Sequence, residues 1–181
     1  MSANPLNAIS EKQALQARLD ESRMLWLGSL KGVSEEDAHF SPGPGQWNIL
    51  QVAEHVATAE RQMLALWAKT ATPGGSPREK DEMLIAAQGD RNKKNPAPDR
   101  SMPMGRFKSL ADAESAFLVN RDASMSALAE AEGLRERIVN HPLAGVIDGY
   151  QLFLIMALHP QRHVYQVEEI KNHPAFPRSK K

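Results

Sequence analysis

The chain of 181 residues contains no cysteine. That excludes disulfides, a thiolate nucleophile supplied by the protein and every cysteine-type zinc site. It also lacks an excess of either charge: 22 Lys and Arg balance 22 Asp and Glu, for a formal net charge of zero. Such a balance offers no basic field to nucleic acid or anionic lipid, so neither is an expected partner. The longest basic cluster, RNKK at 91–94, has no aromatic neighbours on which bases could stack and reads as a solvated loop. Long apolar runs are missing too. The most apolar stretch, residues 150–158, is about half the length needed to cross a bilayer. Residues 1–13 lack the basic-then-apolar pattern of a secretory leader. The expectation is a soluble cytoplasmic protein of one domain, 1–181, long enough to bury a full-sized core.

What the chain does have is helical periodicity with clear start signals. Ser10 and Gln13 form a capping box ahead of Leu15, Leu19 and Trp26, and Gly32 supplies a stop. A short helical turn fits residues 34–37, before SPGPGQ at 41–46 breaks the chain. Asn48 and Gln51 make a second capping box, and Trp47 can staple onto Val52. That helix runs through Val56, Met63 and Trp67 to about Lys69. Residues 71–108 form a long connection with a short helix over 79–88. Ser109 caps a third long helix bearing Leu110, Phe117, Met125 and Leu128. Asp148 and Gln151 cap the fourth, with Ile147 before and Leu152 after as staple partners; its first half is apolar nearly all round, so it belongs in the core. No strand pattern competes. An all-α four-helix bundle is predicted, with 71–108 as a crossover between its second and third long helices that lets those two run parallel.

The fourth helix carries the chemistry. In LIMALHPQRHVYQVEEI, His159 and His163 stand four apart, so their rings can meet on one face about a turn apart. The pair can share a metal ion, or each ring can be a core imidazole bonded to a carbonyl or carboxylate. The general-base glutamate of H-E-x-x-H is absent, which removes a metalloprotease assignment. Pro160, between the two, deletes the helix bond to the carbonyl of Met156. His55, in ILQVAEHVATAE, is the strongest candidate for a third partner. It lies about 10 Å into its helix, and His163 lies about 13 Å from the end of its own, so antiparallel packing brings them level. His39, His141 and His173 sit in loops beside Gly or Pro and read as surface residues. Glu54, about 100° round the helix from His55, reads as solvated. Arg162 and Gln166 can face the pocket or the helix surface.

Four stretches together carry a resemblance that covers nearly the whole chain. They are Phe40-Ser41-Pro42 through GQWNILQVAEH, GDRNKKNPAP, PMGRFKSLADAESAFLVNR and LHPQRHVYQVEEIKNHPAFP. The spacing from Trp47 to His55 and the terminal H-x-x-x-H-x-x-Q are its specific parts. On these the sequence resembles the DinB-like, or DinB/YfiT, superfamily. The resemblance implies a bundle with an up-down-down-up course, often found as a homodimer. It also implies a divalent metal, nickel or zinc most often, held by three histidines that map onto His55, His159 and His163.

Three histidines leave coordination positions open, the pattern of catalytic metal sites. Such an ion can lower the pKa of a bound water or thiol. The resemblance implies precedent for the thiol route, since several relatives transfer low-molecular-weight thiols such as bacillithiol or mycothiol to electrophiles or use them in isomerisation. In a chain without cysteine, any thiolate must arrive as a co-substrate. The resemblance therefore implies a metal-dependent thiol transferase or hydrolase acting on a small molecule. The alternative is a bundle that binds metal or a small ligand without chemistry.

Overall fold

Each of the four long helices begins where its cap predicts. The computed structural model describes residues 10–89 and 96–177, so the RNKK run lies outside the described residues. In chain order the elements are α1 (Glu11–Leu30), α2 (Glu35–Ala38), α3 (Ile49–Thr70), β1 (Thr72–Pro73), α4 (Glu79–Gly89), a 3₁₀ turn (Asp99–Ser101), α5 (Leu110–Glu130), β2 (Arg137–His141), β3 (Gly145–Asp148) and α6 (Gly149–Lys171). Ser10, Asn48 and Asp148 each accept the N3 amide, and the Gln13, Gln51 and Gln151 side chains return the bond, so three reciprocal boxes start α1, α3 and α6. Ser109 caps α5 with a single bond to Asp112. Gly32, in the left-handed region at φ 79°, follows the end of α1, a conformation that side chains avoid.

The four long helices bury two apolar clusters. One joins Leu15 and Leu19 of α1, Met63 and Trp67 of α3, Leu128 of α5 and the first half of α6. The other joins Trp26 and Leu30 of α1, the first turns of α3 and α5, and Val167 and Ile170 late in α6. The antiparallel match assumed for His55 and His163 follows from this, because α3 starts where α6 ends. Trp47 packs on the second cluster, which contains Val52, as the staple requires, but its indole is half-buried. Among the described residues no helix is long and apolar enough to cross a membrane.

The all-α expectation needs one correction. Three short strands form an antiparallel sheet in the order β1-β2-β3. Their length explains why no pattern announced them: β1 has two residues, and the β2–β3 hairpin leaves only Val139 and Ile147 with Asp148 buried. Periodicity needs a longer run to register. The hairpin has a clear role. β3 ends at Asp148, the N-cap of α6, so strand passes into helix without a linker. At the joint, a Cβ on Gly149 would stand 2.6 Å from the Trp67 ring and 2.9 Å from the Leu134 carbonyl. Only glycine lets the start of α6 lie that close to the end of α3.

Candidate metal centre

The rings of His55, His159 and His163 converge. Their centroids are 5.0, 4.8 and 4.6 Å apart, and the Nε2 atom of His159 lies 3.1 Å from the Nε2 of both His55 and His163. The Nδ1 of His55 donates to the Ser101 carbonyl at 2.8 Å, and that of His163 donates to Oε1 of Gln166 at 2.8 Å. With the proton on Nδ1, both rings turn an Nε2 lone pair toward His159. One N–H on His159 Nε2 can serve only one of them. The donor set therefore fits a cation better than a hydrogen bond. Ligands roughly 2.0–2.1 Å from a zinc-like ion sit roughly 3.3 Å apart at tetrahedral angles, close to the separations found. The three ligand atoms all lie within 4.8 Å of one another.

Burial keeps two of these rings uncharged. It pushes the pKa of His55 below the ordinary 6.5 despite the bond to Ser101. His159 is held well below 6.5, first by desolvation and then by its neighbours His163 and His55. His141 is lowered as well, by desolvation. Unfolded imidazoles take up a proton near 6.5, where the folded ones stay neutral. As pH falls through 6.5, the unfolded state gains protons that the folded state refuses, and stability drops until the folded pKa values are reached. The chelated, metal-free protein should thus show a flat melting temperature above about pH 7 and a falling one between about pH 6.5 and 5. A flat profile across that range would show that these rings are not desolvated.

The wall above His55 comes from residues 101–106, and Glu54 holds them there. Contrary to the solvated reading, Glu54 is 1% exposed. Its Oε1 accepts from the Met104 amide and from Arg106 Nη1, each at 2.7 Å, and its Oε2 accepts from the amides of Gly105 at 2.9 Å and Arg106 at 3.2 Å. The 100° between adjacent helix positions separates Glu54 from His55, yet both reach the same segment: Glu54 holds residues 104–106 and His55 takes the carbonyl of Ser101. Trp47 closes the other side of His55, its ring centroid 5.1 Å from the imidazole.

The centre opens into a cavity of about 620 Å³. Apolar side chains such as Leu84, Met102, Leu143 and Ile155 supply much of its lining. Gln166 lines it while orienting His163, and Arg162, 8% exposed, donates to the Ala87 and Gln88 carbonyls at the end of α4. Two of the histidines read as surface residues also line it. His141 is half-buried at the end of β2, where its Nδ1 accepts the Leu143 and Ala144 amides at 3.3 and 3.2 Å, which leaves the proton on Nε2. His173 is half-buried against Phe40 and accepts the Ala175 amide in the same way. Only His39 is exposed as expected. Each His-Pro pair that suggested a loop marks a turn folded back onto its own imidazole.

The model of the DinB superfamily matches residues 18–167. Among curated proteins, the uncharacterised YuaE of Bacillus subtilis (strain 168) is 27% identical over 157 residues, 84% of this chain and 94% of that protein. Among solved structures, TT2238, described as a four-helix bundle protein, aligns with a TM-score of 0.59 at 18% identity, over 87% of this chain and 98% of that one. YfiT from Bacillus subtilis, described as a probable metal-dependent hydrolase with an unusual four-helix bundle topology, aligns with a TM-score of 0.60 at 15% identity, over 94% and 92%.

Proposed function

The chain belongs to the DinB superfamily, and from that membership we propose that it is a metal-dependent enzyme acting on a small electrophile, its divalent ion held by His55, His159 and His163. The observation that carries this reading is the pair of 3.1 Å Nε2–Nε2 separations, which crowd three ring nitrogens at the wall of a cavity. The up-down-down-up course belongs to the same proposal. It is supported by the shared cluster of the first turns of α3 and α5, against the late turns of α1 and α6.

A nickel or zinc ion in such a centre supplies Lewis acidity and lowers the pKa of a thiol or water that ligates it. The protein's own residues do the rest. Ser101 and Gln166 fix two of the ring tautomers, so the nitrogens offered to the ion are lone pairs. The apolar lining displaces water from a bound organic molecule, and Nε2–H of His141 is a neutral donor at the same cavity. With no cysteine in the chain, the thiolate of a transferase comes from a low-molecular-weight thiol. Hydrolysis, the activity ascribed to YfiT, is the second reading, favoured by the likeness in fold.

The deciding experiment starts with metal analysis of protein purified without a histidine tag. Calorimetry of the metal-loaded protein then follows with bacillithiol, mycothiol, glutathione and cysteine in turn. One thiol should bind the loaded protein and fail to bind the chelated one. If the metal stays in place and no thiol binds, the transferase reading falls and ester or amide turnover decides for hydrolysis. Absence of turnover as well leaves the passive binding bundle.

A further inference from the structure

The centre has an asymmetry. His55 and His163 are each oriented by a bond at Nδ1, but the Nδ1 of His159 is buried and has no partner among the described residues. Among the described residues no bond at Nδ1 aims this ring, although its Nε2 faces both others. Its direction therefore depends more on the backbone of α6 than that of either partner depends on its own helix. That backbone carries Pro160 at the next position, inside the helix and buried.

A proline there has no N–H for the carbonyl of Met156, and its ring pushes that carbonyl aside. The freed oxygen is not left bare. Nη2 of Arg121, from α5, donates to it at 3.0 Å. Arg121 is 0% exposed, and all five of its N–H donors are used. Nε and Nη2 grip Glu60 of α3 at 2.8 and 3.0 Å, and Nη1 reaches the Leu19 carbonyl and Ser22 Oγ of α1 at 2.6 and 2.7 Å. One guanidinium thus joins all four long helices. It meets α6 three residues before His159 and α3 five residues after His55.

We propose that Arg121, with Glu60, is a positioning residue of the histidine centre, acting on His159 through the Met156 carbonyl that Pro160 leaves free. Glu60 fixes Arg121 to the helix of His55, and Arg121 fixes the bend at which α6 presents His159. The pair sets the distance between ligands on two helices without touching either. This rests on the metal reading above.

Zinc affinity, measured by competition with a chromophoric chelator, is compared with the melting temperature in two variants. Pro160→Ala restores the N–H to the Met156 carbonyl and is the better helix former. It should melt no lower than the wild type, yet bind zinc about 10–100-fold more weakly, the usual cost of losing an outer support. A purely structural role would not separate the two readouts. Arg121→Ala would strand Glu60 buried and unpaired, so the partner test is the double variant Arg121→Met/Glu60→Met, which fills the space with apolar side chains and keeps the fold. The same loss of affinity is expected there. Wild-type zinc affinity in both variants overturns the proposal. If the wild type binds neither zinc nor nickel, the metal reading falls, and crystal structures of wild type and Pro160→Ala decide the positioning role. Separations from His159 Nε2 that remain at 3.1 Å in the variant overturn it, and widened ones carry it.

Discussion

His163→Ala should bind zinc or nickel at least about 100-fold more weakly than the wild type while keeping its fold. The bound on the loss comes from comparison: altering a group that only supports a ligand already costs about 10–100-fold, and His163 is proposed as a ligand itself. The retained fold follows from the surroundings. His163 sits at the wall of an existing cavity, and its Nε2 is crowded against His159. Removing the ring costs the bond to Gln166 but also removes that crowding. Thermal melts separate the two effects. Chelated wild type and chelated variant should melt within a few degrees of each other. Added metal should stabilise the wild type by about 4 kcal/mol at a thousandfold excess over its Kd, and the variant by no more than about 1.4 kcal/mol. Equal stabilisation of both by metal would remove His163 from the centre.

Glu54→Ala should cost about 1–3 kcal/mol, the range for removing one partner of a part-buried hydrogen-bond network. Among the described residues the carboxylate is the sole acceptor for the amides of Met104, Gly105 and Arg106, and Arg106 is paired with it at 2.7 Å. Truncation removes that shared acceptor and leaves the exposed residues 104–106 to bond water instead. A functional loss should accompany the structural one, because the same segment carries the Ser101 carbonyl that orients His55. Urea denaturation reads the first effect as a lowered midpoint, and a zinc titration in the folded range reads the second. A variant as stable as the wild type, with unchanged affinity, would mean that residues 101–106 are held by other contacts.

The parts that were legible in the sequence are those with local grammar. Caps are read over four residues, and Ser10, Asn48, Ser109 and Asp148 each start a helix as expected. The three histidines were legible because two share a helix face and the third matches them in depth. What escaped depends on partners far along the chain. Glu54 read as solvated since its face of α3 is covered by a segment some fifty residues away, with no periodicity of its own. His141 and His173 read as surface residues because a His-Pro pair signals a turn, but not which side of the turn faces a cavity. The sheet was missed because its strands are shorter than a periodic signal, and β2 pairs with β1 across the whole of α4 and α5. Pro160 announced a freed carbonyl; the residue that takes it, Arg121, lies 35 positions earlier.

The joint at Asp148 and Gly149 has a consequence for how this chain can vary. Strand gives way to helix with no spare residue, and the packing of Gly149 on Trp67 fixes where the helix begins. One residue gained or lost there would turn everything downstream by about 100° about the helix axis. His159 and His163 would then point away from His55 with every side chain of the centre still present. The hairpin therefore acts as a phase setter. What it protects is a count of residues, from the glycine to the first histidine, rather than the identity of the residues between.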